Sequence, residues 1–283
     1  MNRKIEKIQI KDLPEDLIEK IEEEITPYAI SLLGFGEDLS GEQTQLLGSG
    51  TLVRVEDKYG ILTAQHVTPL LKKYKKIGLN LGTFEHKLLI DSIALPIVEV
   101  AVPVNNSEGP DLAAIILPEC VIGTIKRKKL FWNISYNQQT ILSKPIDLNI
   151  RLWFFCGTIE EWTKTEESTG TFDKLMSYRC LCGHTGVEDY WVKHKFDYLK
   201  LSVLYKDRDD LPVSFGGGSG GGIWGVMLHR LDDGKITYSK PLLLGVAFYQ
   251  TEIQDESRSI IGHGWRSIYE KVPDIVKKTF ASL

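Results

Sequence analysis

No stretch of about 18 consecutive apolar residues occurs in this chain, so no segment reads as a membrane-spanning helix. The N-terminus, MNRKIEKIQIKDLPEDLIEK, holds no apolar core of the kind a signal peptide needs, and the expectation is a protein made and kept in the cytoplasm. Cysteine is scarce, at four residues in 283, which suits reduced thiols in that compartment. Cys180 and Cys182, with His184 close by, raise the question of zinc. A zinc site needs four ligands, usually as two separated pairs, and Cys120 and Cys156 each stand alone. They read as ordinary strand residues, and neither metal nor cofactor is expected. Charge of one sign is also lacking. A net charge of -4 gives no general pull toward nucleic acid or an anionic membrane. The one short basic run, TIKRKK at Thr124–Lys129, reads as a solvated loop.

What is present is an ordinary globular composition, 42% hydrophobic and 25% charged, long enough for one large domain or two small ones. Asp12 to Ile25 places Leu13, Leu17, Ile18 and Ile21 among acids, with Pro14 near the first turn, and predicts one amphipathic helix. GFGEDLSGEQ then reads as a loop. From Gln45 onward the pattern is β. TQLLGSGTLVRV and YGILTAQHV predict a hairpin, and KIGLNL, HKLLIDSIAL, IVEVAVPV and LAAIILP continue the series. A second series comprises IRLWFFCGTI, MSYRCLCG, FDYLKLSVLY, GGIWGVML and PLLLGVAFYQ. Two sets of short strands without long helices between them predict two sandwiches or barrels. EKVPDIVKKTFASL closes the chain as a helix starting near Pro273.

One segment does not fit a simple β body. SFGGGSGGGIWG, Ser214 to Gly225, looks like a flexible linker, yet it runs straight into the apolar residues of a buried strand. Its serine, Ser219, belongs with two other residues. His66 follows an apolar strand in ILTAQHV, and Asp111 precedes another in GPDLAAIIL. Alone, each is ordinary: a capping histidine, a turn aspartate, a loop serine. Their order is His, Asp, Ser, with the serine in Gly-x-Ser-Gly-Gly. Acyl transfer needs each part: an imidazole to take the hydroxyl proton, a buried carboxylate to fix its tautomer, and preorganised N–H donors for the oxyanion. Glycines around the serine permit backbone dihedrals that other residues avoid.

On these motifs the sequence resembles the trypsin/chymotrypsin-like serine peptidases. LTAQHV is similar to that family's Thr-Ala-Ala-His-Cys block, with Gln65 and Val67 substituted. DLAAIIL is similar to its Asp-Leu/Ile-Ala block, GGSGGG to its Gly-Asp-Ser-Gly-Gly-Pro block, and SGTLV to an early strand. LLGVAFYQ resembles its cleft-lining strand and GHGWRSIYEKVPDIV its last strand and helix. The resemblance implies an all-β, mainly antiparallel fold of two packed six-stranded-type barrels. The match covers roughly Gln45 to the end, so residues 1–40 read as an N-terminal helical extension before a peptidase domain at 41–283. The barrels would span about 41–135 and 145–270, with the C-terminal helix at about 271–283. By the same resemblance His66 is the general base, Asp111 its orienting carboxylate and Ser219 the nucleophile. Gly217 and Ser219 would supply the oxyanion-hole N–H groups. Val213, Phe248, Tyr249 and Gln250 would bind the substrate, a protein or peptide, with Gln250 narrowing the pocket. Gly218 stands where digestive members carry the aspartate of zymogen activation, so the closer likeness is to intracellular bacterial peptidases. Val213, where basic-specific members carry an aspartate, argues against an Arg or Lys preference.

Two expectations concern regulation. Glycines on both sides of Ser219 suggest a loop that waits for a partner or substrate to order it, and residues 1–40 are the candidate docking element for an activating protein. Two other readings remain open. One is a catalytically silent double-barrel binding module. The other is an α/β-hydrolase, because Gly217-x-Ser219-x-Gly221 also fits a nucleophile elbow, with His263 and Asp255 as late partners. His263 itself reads equally as a turn histidine or as part of the pocket wall.

Overall fold

The computed structural model describes residues 13–38, 41–82, 87–102, 109–149, 151–167, 174–177, 180–206 and 211–281. The expected helix is present as α1 (Glu15–Ile25), with Pro14 as its N-cap. Leu17, Ile21 and Ile25 recur every four residues, so they share one face, and all three are buried in the main core. Asp16, Glu19, Lys20 and Glu23 lie on the exposed face. Pro27 then directs the chain into a strand.

The first sheet contains β1 (Ala29–Asp38), β2 (Gly41–Val55), β3 (Lys58–Thr63), β4 (Lys76–Asn80), β5 (Lys87–Asp91), β6 (Ile97–Ala101), β7 (Leu112–Ile116) and the short β8 (Trp132–Asn133). Its order is β5-β4-β1-β2-β3-β7-β6, with β8 parallel to β2. β2 and β3 form the predicted hairpin, in which only Glu56 and Asp57 turn. β7, LAAII, is buried at every position, as a strand with apolar residues on both faces must be.

Two boundary expectations are corrected by β1. GFGEDLSGEQ is not a loop: apart from Leu39 and Ser40, which lie outside the described residues, it forms the paired ends of β1 and β2, from Gly34 opposite Gln45 to Asp38 opposite Gly41. Its glycines and acids carry no apolar alternation, so the backbone pairing left no trace in the side-chain pattern. Nor is the described part of 1–40 helical throughout: Ala29–Asp38 belongs to the first sheet, while residues 1–12 lie outside the described residues. β1 sits inside the sheet, bonded to both β2 and β4.

The second sheet contains β9 (Arg151–Thr158), β12 (Cys180–Lys193), β13 (Phe196–Leu204), β14 (Gly222–Arg230), β15 (Ile236–Tyr238), β16 (Leu242–Gln250) and β17 (Ser257–Gly264), beside a separate hairpin of β10 (Lys164–Glu167) and β11 (Lys174–Ser177). Antiparallel pairing runs β14-β16-β17-β13-β12-β9, and β9 pairs again with β14, so six strands form a closed ring. The first sheet is instead a path of seven strands plus β8.

Among the described residues there are four further α-helices: α2 (Thr68–Leu71), α3 (Glu119–Lys126), α4 (Ile134–Leu142) and α5 (Val272–Ala281). Thr124–Lys126 of the basic run are the last turn of α3, not a loop. Ile125 is buried there while Lys126, Arg127 and Lys128 stay exposed at the carbonyl end of the helix, where cations are favoured. Among the described residues no helix is long and apolar enough to cross a membrane.

Because α1 contributes fully buried side chains, Ile21→Ala should lower unfolding stability by about 2–5 kcal/mol, measured by urea denaturation. Asp16→Ala, on the exposed face, should stay close to the parent.

Candidate active site

His66 and Asp111 are brought together by strand pairing. β3 and β7 are antiparallel neighbours with Thr63 opposite Ala113. The end of one and the start of the other therefore share an edge of the sheet. Beyond Thr63 the chain makes a short 3-10 turn over Gln65–Val67, which carries His66. Just before β7 stands Asp111. Its carboxylate accepts twice from His66, from the backbone N–H at 3.0 Å and from Nδ1 at 2.6 Å. The Asp111 side chain is 0% exposed and that of His66 40% exposed. The carboxylate holds the proton on Nδ1, which leaves Nε2 as the acceptor nitrogen.

Ser219 comes from the other sheet, in the loop before β14. The strand after it excludes the α/β-hydrolase reading, which requires a helix there. The loop is tied to the first sheet by β2. Ser49 N–H donates to the Ser219 carbonyl at 2.9 Å and Ser49 Oγ to that of Gly217 at 2.7 Å. Thr51 Oγ1 donates to the Gly220 carbonyl at 3.2 Å. Ser49 Oγ also accepts from Thr158 N–H of β9 at 2.7 Å, so one hydroxyl joins both sheets. On the far side, Gly220 N–H donates to the Ala247 carbonyl of β16 at 2.7 Å.

Two glycines are dictated by this packing. Gly217 has φ +82, and a Cβ there would lie 2.5 Å from Leu46 Cδ2. Gly220 has φ +95, and its Cβ would meet the Ser49 carbonyl oxygen at 2.1 Å. An L side chain is disfavoured at both on backbone grounds, and at Gly220 it is also excluded by contact with the backbone of β2. These glycines permit close approach to β2, and the bonds that order the loop come from within the chain.

The N–H groups of the loop divide into two sets. Those of Gly216, Gly218, Gly220 and Gly221 donate to Ser214 Oγ and to the carbonyls of Phe215, Ala247 and Gly218. Those of Gly217 and Ser219 have no acceptor among the described residues. Ser219 Oγ donates to the Phe248 carbonyl at 3.4 Å and makes no hydrogen bond to His66.

His66 and Ser219 line one cleft of about 410 Å³. Phe155, Phe215, Phe248 and Ile260 supply its apolar lining, and Tyr249 and Gln250 also line it. Gln250 Oε1 accepts from Phe215 N–H at 2.7 Å and Gln250 Nε2 donates to Ser214 Oγ at 3.1 Å, so it fixes the segment leading into the loop. Val213 does not line the cleft, in contrast to the expectation. It is 64% exposed. Glu161 accepts the N–H groups of both Val213 and Ser214, which holds this segment with the Val213 side chain turned outward.

His263 is neither a turn residue nor pocket wall. It lies in β17, fully buried against Phe196, Tyr198 and Phe248, and its Nε2 accepts from the Asp111 backbone N–H at 2.8 Å. It therefore fixes Asp111 from behind. Burial lowers its pKa to about 4, against the opposing pull of the Asp111 charge. Ser49, Thr51 and Arg258, a buried cleft residue, were not singled out from the sequence. The signals were slight: a serine between two glycines in LLGSGT, and one cation in ESRSII that shares a strand face with Ile260.

No family model matches the chain, and no curated protein matches it.

Removing the shared hydroxyl in Ser49→Ala should cost about 1–3 kcal/mol of stability by leaving the Gly217 carbonyl and Thr158 N–H unpaired, measured by denaturant unfolding. A pH series gives a second check. The folded-state pKa of His263 lies below its ordinary 6.5. The unfolded chain therefore binds the extra proton first, and stability falls as pH drops from 6.5 toward about 4. His263→Gln keeps an acceptor for Asp111 N–H and should flatten that part of the thermal-stability profile.

Proposed function

We propose that this chain is a serine endopeptidase of the trypsin/chymotrypsin-like type, acting in the cytoplasm on protein or peptide substrates. The observation that carries the reading is the opening of His66 and Ser219 into one cleft, with Asp111 buried behind the histidine. In the proposed reaction Ser219 Oγ attacks the scissile carbonyl carbon as His66 Nε2 takes the hydroxyl proton. Asp111 stabilises the imidazolium without itself taking a proton. The N–H groups of Gly217 and Ser219, which have no acceptor among the described residues, receive the oxyanion. His66 then protonates the leaving amine. A water, deprotonated by His66, hydrolyses the acyl-enzyme and returns Ser219.

The hydrogen bond from Ser219 to the Phe248 carbonyl favours a second reading, a silent binding module, because it points the hydroxyl away from His66. A bond of 3.4 Å is weak, and catalytic hydrogen bonds often tighten only when substrate is bound. Partner docking through residues 1–40 is confined, among the described residues, to the polar outer face of α1, since its apolar face and β1 are built into the core and sheet.

A fluorophosphonate probe should label Ser219 in the parent and not in Ser219→Ala. Peptidase activity should fall by about 10⁶ on Ser219→Ala or His66→Ala, and by about 10⁴ on Asp111→Asn, which imposes the wrong tautomer. Near-full activity of Ser219→Ala or His66→Ala, read from initial rates on a casein substrate, would sink the mechanism. Ligand binding without labelling would establish the binding module.

A further inference from the structure

The cleft beside Ser219 contains a buried cation that the mechanism does not use. Arg258, in β17, is 7% exposed and lines the cleft. Its Nη1 donates to two neutral acceptors, the Val213 carbonyl and Gln250 Oε1, the latter at 2.9 Å. Its Nε is buried without a hydrogen-bond partner. Among the described residues no carboxylate lies within ion-pair distance of the guanidinium. A guanidinium has five N–H donors and stays charged in proteins. Here Nε has no partner, and among the described residues the charge faces only neutral groups, the Val213 carbonyl, Gln250 and the Tyr205 hydroxyl. Buried charges are ordinarily paired, because leaving water without a partner is costly.

Resting on the peptidase reading, we infer that this cleft selects an acidic side chain, glutamate or aspartate, on the residue that donates the acyl group to Ser219, and that Arg258 is the specificity-determining residue. The other charges of the cleft leave that role to Arg258. Asp111 is turned to His66 and takes both of its hydrogen bonds. Glu252 lines the cleft but is exposed, so solvent and salt screen it more than they screen the buried cation. Phe215, Phe248 and Ile260 offer apolar contact to the methylenes of a glutamate. A lysine or arginine side chain would bring a like charge toward a guanidinium that no described carboxylate neutralises. Gln250 serves as a positioning residue: with Nε2 bonded to Ser214, its Oε1 faces Arg258 and holds Nη1.

The test uses the full chain and peptidyl diphenyl phosphonates that differ only in the side chain beside phosphorus: Glu, Gln, Lys or Phe. In each, the Ser219 Oγ–P bond forms as phenoxide leaves with the serine proton. The second-order inactivation rate should be about 10–100-fold higher for Glu than for Gln, the range expected of a charge-assisted contact, and Lys should react slowest. In Arg258→Gln the Glu-to-Gln ratio should fall to about 1 while fluorophosphonate labelling of Ser219 persists. Arg258→Lys, which keeps the charge, should retain part of the preference. If Arg258→Gln does not fold, the Glu-to-Gln ratio of the parent decides alone. Labelling of Ser219 by fluorophosphonate together with equal rates for Glu and Gln, or faster rates for Lys or Phe, overturns the acidic preference and leaves the peptidase reading intact. No labelling by any probe overturns both.

Discussion

The Ser49 hydroxyl is one of the points where the two sheets meet in hydrogen-bonding terms, beside the Ser31–Thr158 hydroxyl pair and the bond from Asp111 N–H to His263. It donates to Gly217, accepts from Thr158, and sits on a residue whose N–H holds the Ser219 carbonyl. The candidate site is split: His66 and Asp111 come from the first sheet, Ser219 from the second. The proposed reaction needs both halves, so their relative position matters more than the precision of either. Apolar packing between the sheets supplies most of the attraction, but it is non-directional. The directional part is this short polar seam, in which hydrogen bonds of about 2.7–2.9 Å fix the register of the loop against β2.

The all-β class, α1 and the hairpin of β2 and β3 were legible because each rests on periodicity. Leu17, Ile21 and Ile25 repeat at helical spacing, and LAAII is apolar throughout. His66, Asp111 and Ser219 were legible through their order along the chain and the residues beside them. The supports of the site were not. Ser49, Thr51 and Thr158 are common residue types at unremarkable positions, and their roles exist only once two distant strands approach. β1 was missed for a related reason. Its distal half is GFGED, whose backbone pairing with β2 needs no apolar side chains. Val213 and His263 show the limit of transferring a motif by spacing. One is turned outward by the hydrogen bonds of Glu161. The other is drawn inward to serve Asp111.

The glycine run illustrates how one composition has two physical meanings. Glycine is loose in an unfolded chain, and a sequence reading naturally assigns looseness. In the folded chain Gly217 and Gly220 take left-handed backbone conformations, and Gly220 lets the loop lie against β2 at a distance that a single methyl group would prevent. The same two residues bracket Ser219, so close packing and the free N–H groups have one cause. Folding must overcome a larger backbone entropy there than at other residues, and the Ser49 seam offsets part of it.

The division of the site between two sheets has a thermodynamic corollary. Any ligand that touches His66 and Ser219 together binds only the form in which the sheets are correctly apposed. Occupancy then acts as a brace across the seam. By mass action a ligand at about a hundred times its dissociation constant adds about 2.7 kcal/mol to the assembled state. In an empty cleft the apposition relies on the seam, the bonds of Asp111 to His263 and of Ser31 to Thr158, and the shared core. Starvation for ligand is therefore the condition in which local opening at Ser49 is most frequent.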